Sequence, residues 1–410
     1  MSEHPGGDLI RPGARIGIVH YGEHIPLDDS YRPARMGQLA SWLTEADCLV
    51  TRLVPTYSPF AGRQRPREWS GRATTEGVVE MVPTRPFTTS VSRARLGFLR
   101  DFAVNASRQL AAMDPFDALI VGYPPPGMVF HLRRRLGRDI PILADVRDLW
   151  PDALVPSDRR SLVVAGALAG TALAQELRLA DGVVAMSETM LDRAPRRRRR
   201  MAIPACIPDP ITKVVADDHG EAGLRAVFVG SFTQGVDFPT LIGGWRRFVE
   251  ERRSSRPAPR LWLCGTGERA DEVAALADGV AGIELVGRIP HDEVGAWLAR
   301  ADVGIAPTRP GFGTTISNKV VEYIGTGLFV LHTLEAEPAG RVEAGGLGAS
   351  VVATPEGWRD GLIRLENRLD ELRSGRSSRR PRAEATYGRA AIEPRWQQAI
   401  NDLLIPPAER

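Results

Sequence analysis

Short apolar runs recur along the chain, each followed by a stretch whose apolar positions repeat every three or four residues. "RIGIVHYG" (15–22) leads into "RPARMGQLASWLTEA" (32–46) and then "CLVTRLVP" (48–55). After an irregular Pro-, Arg-, Ser- and Thr-rich stretch at 54–92 come "RLGFLRDFAVNASRQLAAM" (95–113), "DALIVGYPPP" (117–126), "GMVFHLRRRL" (127–136) and "IPILADVRD" (140–148). A long helical region, "GVVAMS" (182–187) and "MAIPACIPDP" (201–210) complete this half. Strand-like runs alternating with helix-like ones predict parallel strands joined by crossover helices. The 54–92 stretch, without periodicity, reads as a long loop, which in a compact domain is either functional or disordered.

A second series begins after the Pro-rich link at 204–212. Its strand-like runs are "RAVFVGS" (225–231), "RLWLCGTG" (260–267), "IELVGR" (283–288), "VGIAPT" (303–308), "LFVLHT" (328–333) and "ASVVAT" (349–354), with amphipathic stretches between them. The polar segment 375–384 breaks the pattern, and a last helix is expected over 387–404. The fold class is therefore α/β, two doubly wound Rossmann-like domains with a cleft between them. The expected boundaries are 1–208, 209–385 and a C-terminal helix, 386–410, packing back toward the first domain. A chain of 410 residues suits two such cores better than one.

Composition narrows the class. No run of about 18 apolar residues is present to span a bilayer, and "SLVVAGALAGTALAQ" (161–175) is short and Ala/Gly-rich enough to be a buried helix. The N-terminus lacks a basic region followed by an apolar one, so a cytoplasmic protein is expected. Cys48, Cys206 and Cys264 are scattered and predict neither disulfides nor a metal site. Of 53 basic side chains, only Lys213 and Lys319 are lysines. That bias suggests a GC-rich genome instead of nucleic-acid binding. The arginines cluster only at 131–138 and 193–201, read as solvated surface or as a docking face for an anionic partner.

Ligands of open parallel sheets bind beyond the carboxyl ends of the strands. In the second domain those ends carry Gly230-Ser231, Gly265-Thr266-Gly267, Gly287-Arg288 and the loop from Thr308 to Asn318. "GTGERA" (265–270) matches the dinucleotide fingerprint G-x-G-x-x-G/A, but it follows the domain's second strand and the next strand ends in Gly-Arg, not in an acidic ribose ligand. An NAD enzyme is thereby disfavoured. The run "GFGTTISNKVVEYIGTGLFVL" (311–331) places Lys319 in the first turn of a helix. A cation there opposes the helix dipole at a cost of a few tenths to about 1 kcal/mol unless an anion is near. An ion pair with Glu322 is the plainer explanation, worth about 0.2–0.5 kcal/mol. Yet a chain that otherwise uses arginine has placed a compact ammonium here, and Glu322, flanked by apolar residues, is suited to accept hydrogen bonds from sugar hydroxyls.

These residues resemble a known family. "FVGSFTQGVDFPTLIGGW" (228–245), "LWLCGTGE" (261–268), "IELVGRIPHDEVGAWLARADVGIAPT" (283–308) and "SNKVVEYIGTGLFVL" (317–331) are similar to the donor-binding half of the GT-B glycosyltransferases of family 4. "RPARMGQLASWLTEADCLVTRL" (32–53) and "DVRDLWPDAL" (145–154) resemble the bacterial branch of N-acetylfucosamine and related amino-sugar transferases. The resemblance implies a retaining transferase that moves a sugar from a nucleotide diphosphate sugar, as co-substrate, to an acceptor hydroxyl in carbohydrate or natural-product biosynthesis. It assigns Gly230, Ser231, Gly265, Gly267, Arg288, Ser317, Asn318, Lys319 and Glu322 to the donor, with Lys319, Glu322 and Asp148 in the chemistry. Gly22, Glu23, Asp145, Arg147 and Trp150 fall on the acceptor side, and Tyr21 and His20 lie beside them. Glu322 matches the second glutamate of the family's E-x7-E motif, whose first falls at Thr314; the usual basic diphosphate clamp falls near Phe232 and Gln234. No D-x-D occurs, so no metal and no further cofactor are expected. The acceptor is expected to be a lipid-linked sugar, with a peripheral contact at the inner membrane face, or a small aglycone. A nucleotide-sugar 2-epimerase of GT-B shape and a non-catalytic GT-B-like partner protein are the alternatives.

Overall fold

The computed structural model describes residues 10–404 apart from 30, 60, 89–91, 124, 148–170, 172–173, 197–198, 210, 212–221, 254 and 313. It divides into two compact units, residues 1–203 with 393–410, and residues 204–392. The expected buried helix at 161–175 lies mostly outside the described residues.

The first unit contains strands β1 (Arg15–Val19), β2 (Leu49–Pro55), β3 (Tyr57–Ser58), β4 (Arg63–Gln64), β5 (Arg72–Thr74), β6 (Gly77–Val82), β7 (Ala118–Tyr123), β8 (Ile142–Val146), β9 (Gly182–Ala185) and β10 (Arg200–Ala202). Eight of them form one sheet in the order β10-β9-β8-β7-β1-β2-β6-β5. All neighbours run parallel except β5, which pairs antiparallel with β6. β7 is buried at every position, as a parallel strand covered on both faces must be, which explains its uninterrupted apolar run. The helices Arg93–Leu110 and Met128–Leu136 bury Phe102, Ala106, Val129 and Leu132 against it. Helix Arg35–Glu45 buries Met36, Leu39 and Leu43, and the last helix, Arg389–Leu404, adds Trp396 and Ile400. Arg35 joins these parts: its guanidinium binds both oxygens of Asp145 (3.0 and 2.7 Å), donates to the carbonyl of Ile203 (2.7 Å) and lies 4.7 Å above the Trp396 ring.

Two sequence expectations are corrected. The 54–92 stretch is not a structureless loop: it contains the β3–β4 pair and β6, a full member of the sheet beside β2. Its Val79, Met81 and Val82 are buried, but six residues between Gly- and Pro-containing turns are too few to show a period. The polar segment 375–384 is helical, part of Arg376–Tyr387. Its arginines are internal. Arg376 donates to the carbonyls of Thr326, Ala299, Ala301 and Leu298, and Arg379 to that of Gly327, so they satisfy the carbonyls that end neighbouring helices.

The second unit holds β11 (Arg225–Val229), β12 (Arg260–Cys264), β13 (Ile283–Gly287), β14 (Val303–Ala306), β15 (Phe329–His332) and β16 (Gly348–Ser350). They form one all-parallel sheet in the order β13-β12-β11-β14-β15-β16. Numbered within the unit this is 3-2-1-4-5-6, the doubly wound order whose direction reverses between β11 and β14. Helix Phe238–Glu251 starts at the Asp237 cap and packs Trp245 and Phe248 beneath the sheet together with Trp358. Among the described residues no helix is long and apolar enough to cross a membrane.

Arg376→Met should leave the carbonyls at the end of helix His291–Ala299 without their donor. The expected loss is at least about 3 kcal/mol of unfolding free energy by urea titration, against little change for Arg380→Met in the same helix.

Candidate functional site

The reversal of strand order fixes where to look in the second unit. Gly230 follows β11, and helix Asn318–Gly325 follows the loop after β14. Tyr323 holds the helix across that gap. Its ring is fully buried, and its hydroxyl accepts a hydrogen bond from the Val229 amide at 2.8 Å. Gly304 on β14 makes room for the ring, since a Cβ there would stand 2.4 Å from it. With the helix anchored one turn later, Lys319 extends back over β11. Its Nζ lies 4.5 Å from the centre of the Phe228 ring and 3.3 Å from where a Gly230 Cβ would be. Gly230 has φ +149°, a conformation that favours glycine.

The surrounding loops are stitched by backbone. The Gly230 amide donates to the Cys264 carbonyl (2.9 Å) and the Gly265 amide to that of Gly287 (2.7 Å). A Cβ on Gly265 would lie 1.9 Å from the Gly230 oxygen, and one on Gly267 2.5 Å from the Phe232 oxygen. The two glycines of the G-x-G pattern thus admit this protein's own neighbouring loop. Arg269, the next functional-looking residue of that pattern, is buried and donates to the Val236 carbonyl and to Glu272. The loop after β11 is tied in turn to the loop after β14, with Asp237 donating to Pro307 and Arg309 to Gly235.

Ser231 and Arg288 are exposed, while Ser317, Asn318 and Lys319 are half-buried at the helix start. Ser317 caps the helix through its carbonyl, its hydroxyl making no capping bond. Glu322 is only 2% exposed, deeper than the crevice-facing position expected for it. Thr314 is half-buried in the loop. Phe232, where the resemblance would put a cation, is 4% exposed and packs edge-on against Phe238 at 4.8 Å, so that position is core; Gln234 is exposed. Sequence reasoning missed Tyr323 and Gly304, whose only signal was one aromatic and one glycine inside apolar runs.

In the first unit the corresponding reversal falls between β1 and β7, where Tyr21, Gly22 and Glu23 follow β1. Gly22 has φ +80°. Glu23 is 4% exposed; it accepts from the Met36 amide (3.0 Å) and the Gly37 amide (3.3 Å) at the start of helix Arg35–Glu45 and pairs with Arg147. Asp145 is fully buried on Arg35. Both acidic residues expected on the acceptor side are therefore engaged in the protein's own frame, where they hold helix Arg35–Glu45 to the strand ends. Arg147 keeps about a fifth of its side chain exposed. Asp148 and Trp150 lie outside the described residues. His20, fully buried, accepts from Arg52, whose guanidinium pairs with the equally buried Glu76. Burial, followed by the charges of Arg52, Arg147 and Arg65, holds the His20 imidazole well below its ordinary value; burial also pulls Arg52 down to about 10.

Residues 223–368 match the model of the family described as Glycosyl transferases group 1. No curated protein sequence matches the chain. Among solved structures, it is similar to sucrose-phosphate synthase from Thermosynechococcus elongatus, at 15% identity and a TM-score of 0.76 over 95% of this chain and 99% of that one. It is similar to WaaG, a glycosyltransferase involved in lipopolysaccharide biosynthesis, at 14% identity and 0.67 over 94% and 99%. A third is HepE of Anabaena in complex with UDP and glucose, at 11% identity and 0.64 over 95% and 99%. At these identities the likeness establishes the two-domain GT-B fold.

Two outcomes follow from this geometry. Tyr323→Phe should cost about 1–3 kcal/mol in a denaturant titration, because it strands a buried amide. His332, at the end of β15, is fully buried, and burial pushes its imidazole down to about 4. The unfolded chain binds that proton near pH 6.5, so the neutral-histidine stability is complete above about pH 6.5 and is lost as pH falls toward about 4. His332→Asn keeps an acceptor for the Leu334 amide, which now donates to Nδ1 at 3.2 Å. Unfolding midpoints measured between those pH values should fall less steeply for this variant than for the parent.

Proposed function

We propose that this chain, a GT-B glycosyltransferase whose residues 223–368 form a group 1 domain, transfers a sugar from a nucleotide diphosphate sugar to an acceptor hydroxyl with retention at the anomeric carbon and without a metal. The observation that carries this reading is the Lys319 ammonium, held at the strand-order reversal over Phe228 and beside Gly230. A diphosphate placed there meets the ammonium, the amides of the helix start and the dipole of helix Asn318–Gly325 together.

Donor cleavage puts charge on the departing phosphate, and preorganised positive groups at that point contribute most to the rate. We assign Lys319, Ser317, Asn318, Gly230 and Ser231 to the diphosphate, Glu322 to the ribose hydroxyls and Arg288 to the base. Gly265 and Gly267 serve by shaping the loop. In a retaining transfer the acceptor hydroxyl attacks the anomeric carbon on the face from which the diphosphate leaves. The glycosidic bond to phosphate breaks as the new one forms, and the hydroxyl proton passes to the departing phosphate oxygen. On the acceptor side, Gly22 and Arg147 are the residues we assign; Glu23 and Asp145 position them. The first donors to test are nucleotide-linked amino sugars, which the sequence resemblance suggests, and UDP-glucose, because HepE was solved with UDP and glucose; the acceptor is a lipid-linked sugar or a small aglycone.

Thermal unfolding with a panel of UDP-, GDP- and TDP-sugars, followed by product analysis for transfer and for epimerisation, tests the reading. A saturating donor at about 100 times its Kd should stabilise the protein by about 2.7 kcal/mol. No shift with any of them would sink it. Lys319→Ala should lower turnover by roughly 100- to 1,000-fold with little loss of folding stability; parent-level turnover would remove Lys319 from the phosphate.

A further inference from the structure

A cleft of about 570 Å³ opens beyond the carboxyl ends of β2 and β6 in the first unit, at the same end of the sheet as Tyr21, Gly22 and Glu23. The 54–92 stretch supplies Gln64, Arg65, Arg67 and Thr84 to its walls, and helix Arg93–Leu110 supplies Asp101 and Asn105. Hydrogen bonds fix those walls. The Thr84 amide donates to the Thr56 hydroxyl (3.0 Å), the Gln64 side chain to the Thr84 carbonyl (3.0 Å) and the Asn105 side chain to that of Pro83 (2.8 Å). The volume falls within the range of small-molecule sites, about 300–1,000 Å³.

The lining is polar apart from Pro83, so an apolar aglycone would leave its donors and acceptors without partners. Its charges are unequally engaged. Asp101 is held by Arg85 at 2.6 Å. Arg65, 5% exposed, spends its guanidinium on Asp28 and on the carbonyls of Pro55 and Glu23, both at 3.1 Å. Arg67 is exposed, and among the described residues no carboxylate pairs with it; Glu68 beside it is exposed and outside the lining. The bond from Arg65 to Glu23 also joins the cleft to the segment after β1 where Gly22 stands. β6 lies two strand spacings from β1, about 10 Å. An acceptor reacting near Gly22 would therefore reach the cleft with the unit next to its reacting one.

We propose that this cleft is a distal acceptor subsite for a sugar unit bearing a carboxylate or a phosphate, with Arg67 meeting the anionic group and Gln64 and Asp101 accepting from ring hydroxyls. A guanidinium presents its donors in a fork that matches either anion, whereas a neutral sugar leaves that charge unmatched. The inference rests on the proposed transfer and narrows it to saccharide acceptors with a negative charge next to the accepting sugar.

Saturation-transfer NMR on the full chain without donor tests it, with methyl glucuronide, glucose 6-phosphate and methyl glucoside as ligands and inorganic phosphate as competitor. At least one acidic sugar should bind more tightly than methyl glucoside. Arg67→Gln should weaken that binding by roughly five- to tenfold, the scale of one charge-assisted hydrogen bond at a part-exposed site. Arg138→Gln removes an exposed charge beyond the opposite end of the sheet and should leave it unchanged. Both positions are exposed, so thermal midpoints should match the parent. The acidic sugar that responds to Arg67→Gln identifies the anion. Equal binding of acidic and neutral sugars, parent affinity in Arg67→Gln or an equal loss in Arg138→Gln overturns the proposal. So does inorganic phosphate binding as tightly as the acidic sugar, which would reduce the site to an anion contact. Because binding is read without donor, a missing nucleotide-sugar shift would remove the transfer reaction alone, and a donor shift without acidic preference would remove the subsite alone.

Discussion

One hydrogen bond, from the Val229 amide to the Tyr323 hydroxyl, sets the geometry of the second unit's candidate site. A parallel sheet leaves the amides at its strand ends to be satisfied by whatever the following loops bring. Here the partner comes from a helix that three crossovers separate from β11 along the chain. Because Tyr323 is buried in space left by Gly304, the helix can neither rotate nor slide along its axis without losing both packing and hydrogen bond. Lys319, one turn earlier on the same helix, is thereby fixed over β11.

The first unit treats the equivalent reversal of strand order differently. His20 follows β1 there, and a Cβ on Gly122 of β7 would stand 3.2 Å from the His20 Cβ. Around it Arg35, Arg52, Arg65 and Arg147 alternate with Glu23, Asp28, Glu76 and Asp145. Each charge is paired, so the network carries no large net charge. Buried pairs of this kind add little net stability over apolar packing, but removing one partner is costly. Their effect is to fix one arrangement of residues 20–29, of the start of helix Arg35–Glu45 and of the strand ends, and the neutral His20 is part of that arrangement.

Periodicity made the two α/β series readable, and a single misplaced cation pointed to the helix at 318. The misreadings share a cause. Segment 375–384 broke the apolar pattern because its arginines read as polar surface, whereas Arg376 and Arg379 are buried caps for other helices' carbonyls. Glu23 and Asp145 looked like ligands for the same reason: a carboxylate at a strand end reads as free until its arginine, more than a hundred residues away for Asp145, is placed beside it. Gly265 and Gly267 looked like phosphate glycines, yet what approaches them is backbone from residues 230–232. In each case local sequence gave the residue type correctly and could not supply the partner.

Gly230 and Lys319 explain each other. The Lys319 Cε and Nζ lie 3.2 and 3.3 Å from the position a Gly230 Cβ would take, so any side chain at 230 would push the ammonium off the Phe228 face. A guanidinium is planar and broader than an ammonium, and would need still more of that space. A chain that uses arginine at 51 of its 53 basic positions therefore keeps lysine where a glycine turn, an aromatic face and a helix start leave room for a point charge alone. The same crowding favours a ligand that meets the ammonium end-on and accepts from the helix amides alongside. Phosphate oxygens do this; a bulky neutral group does not.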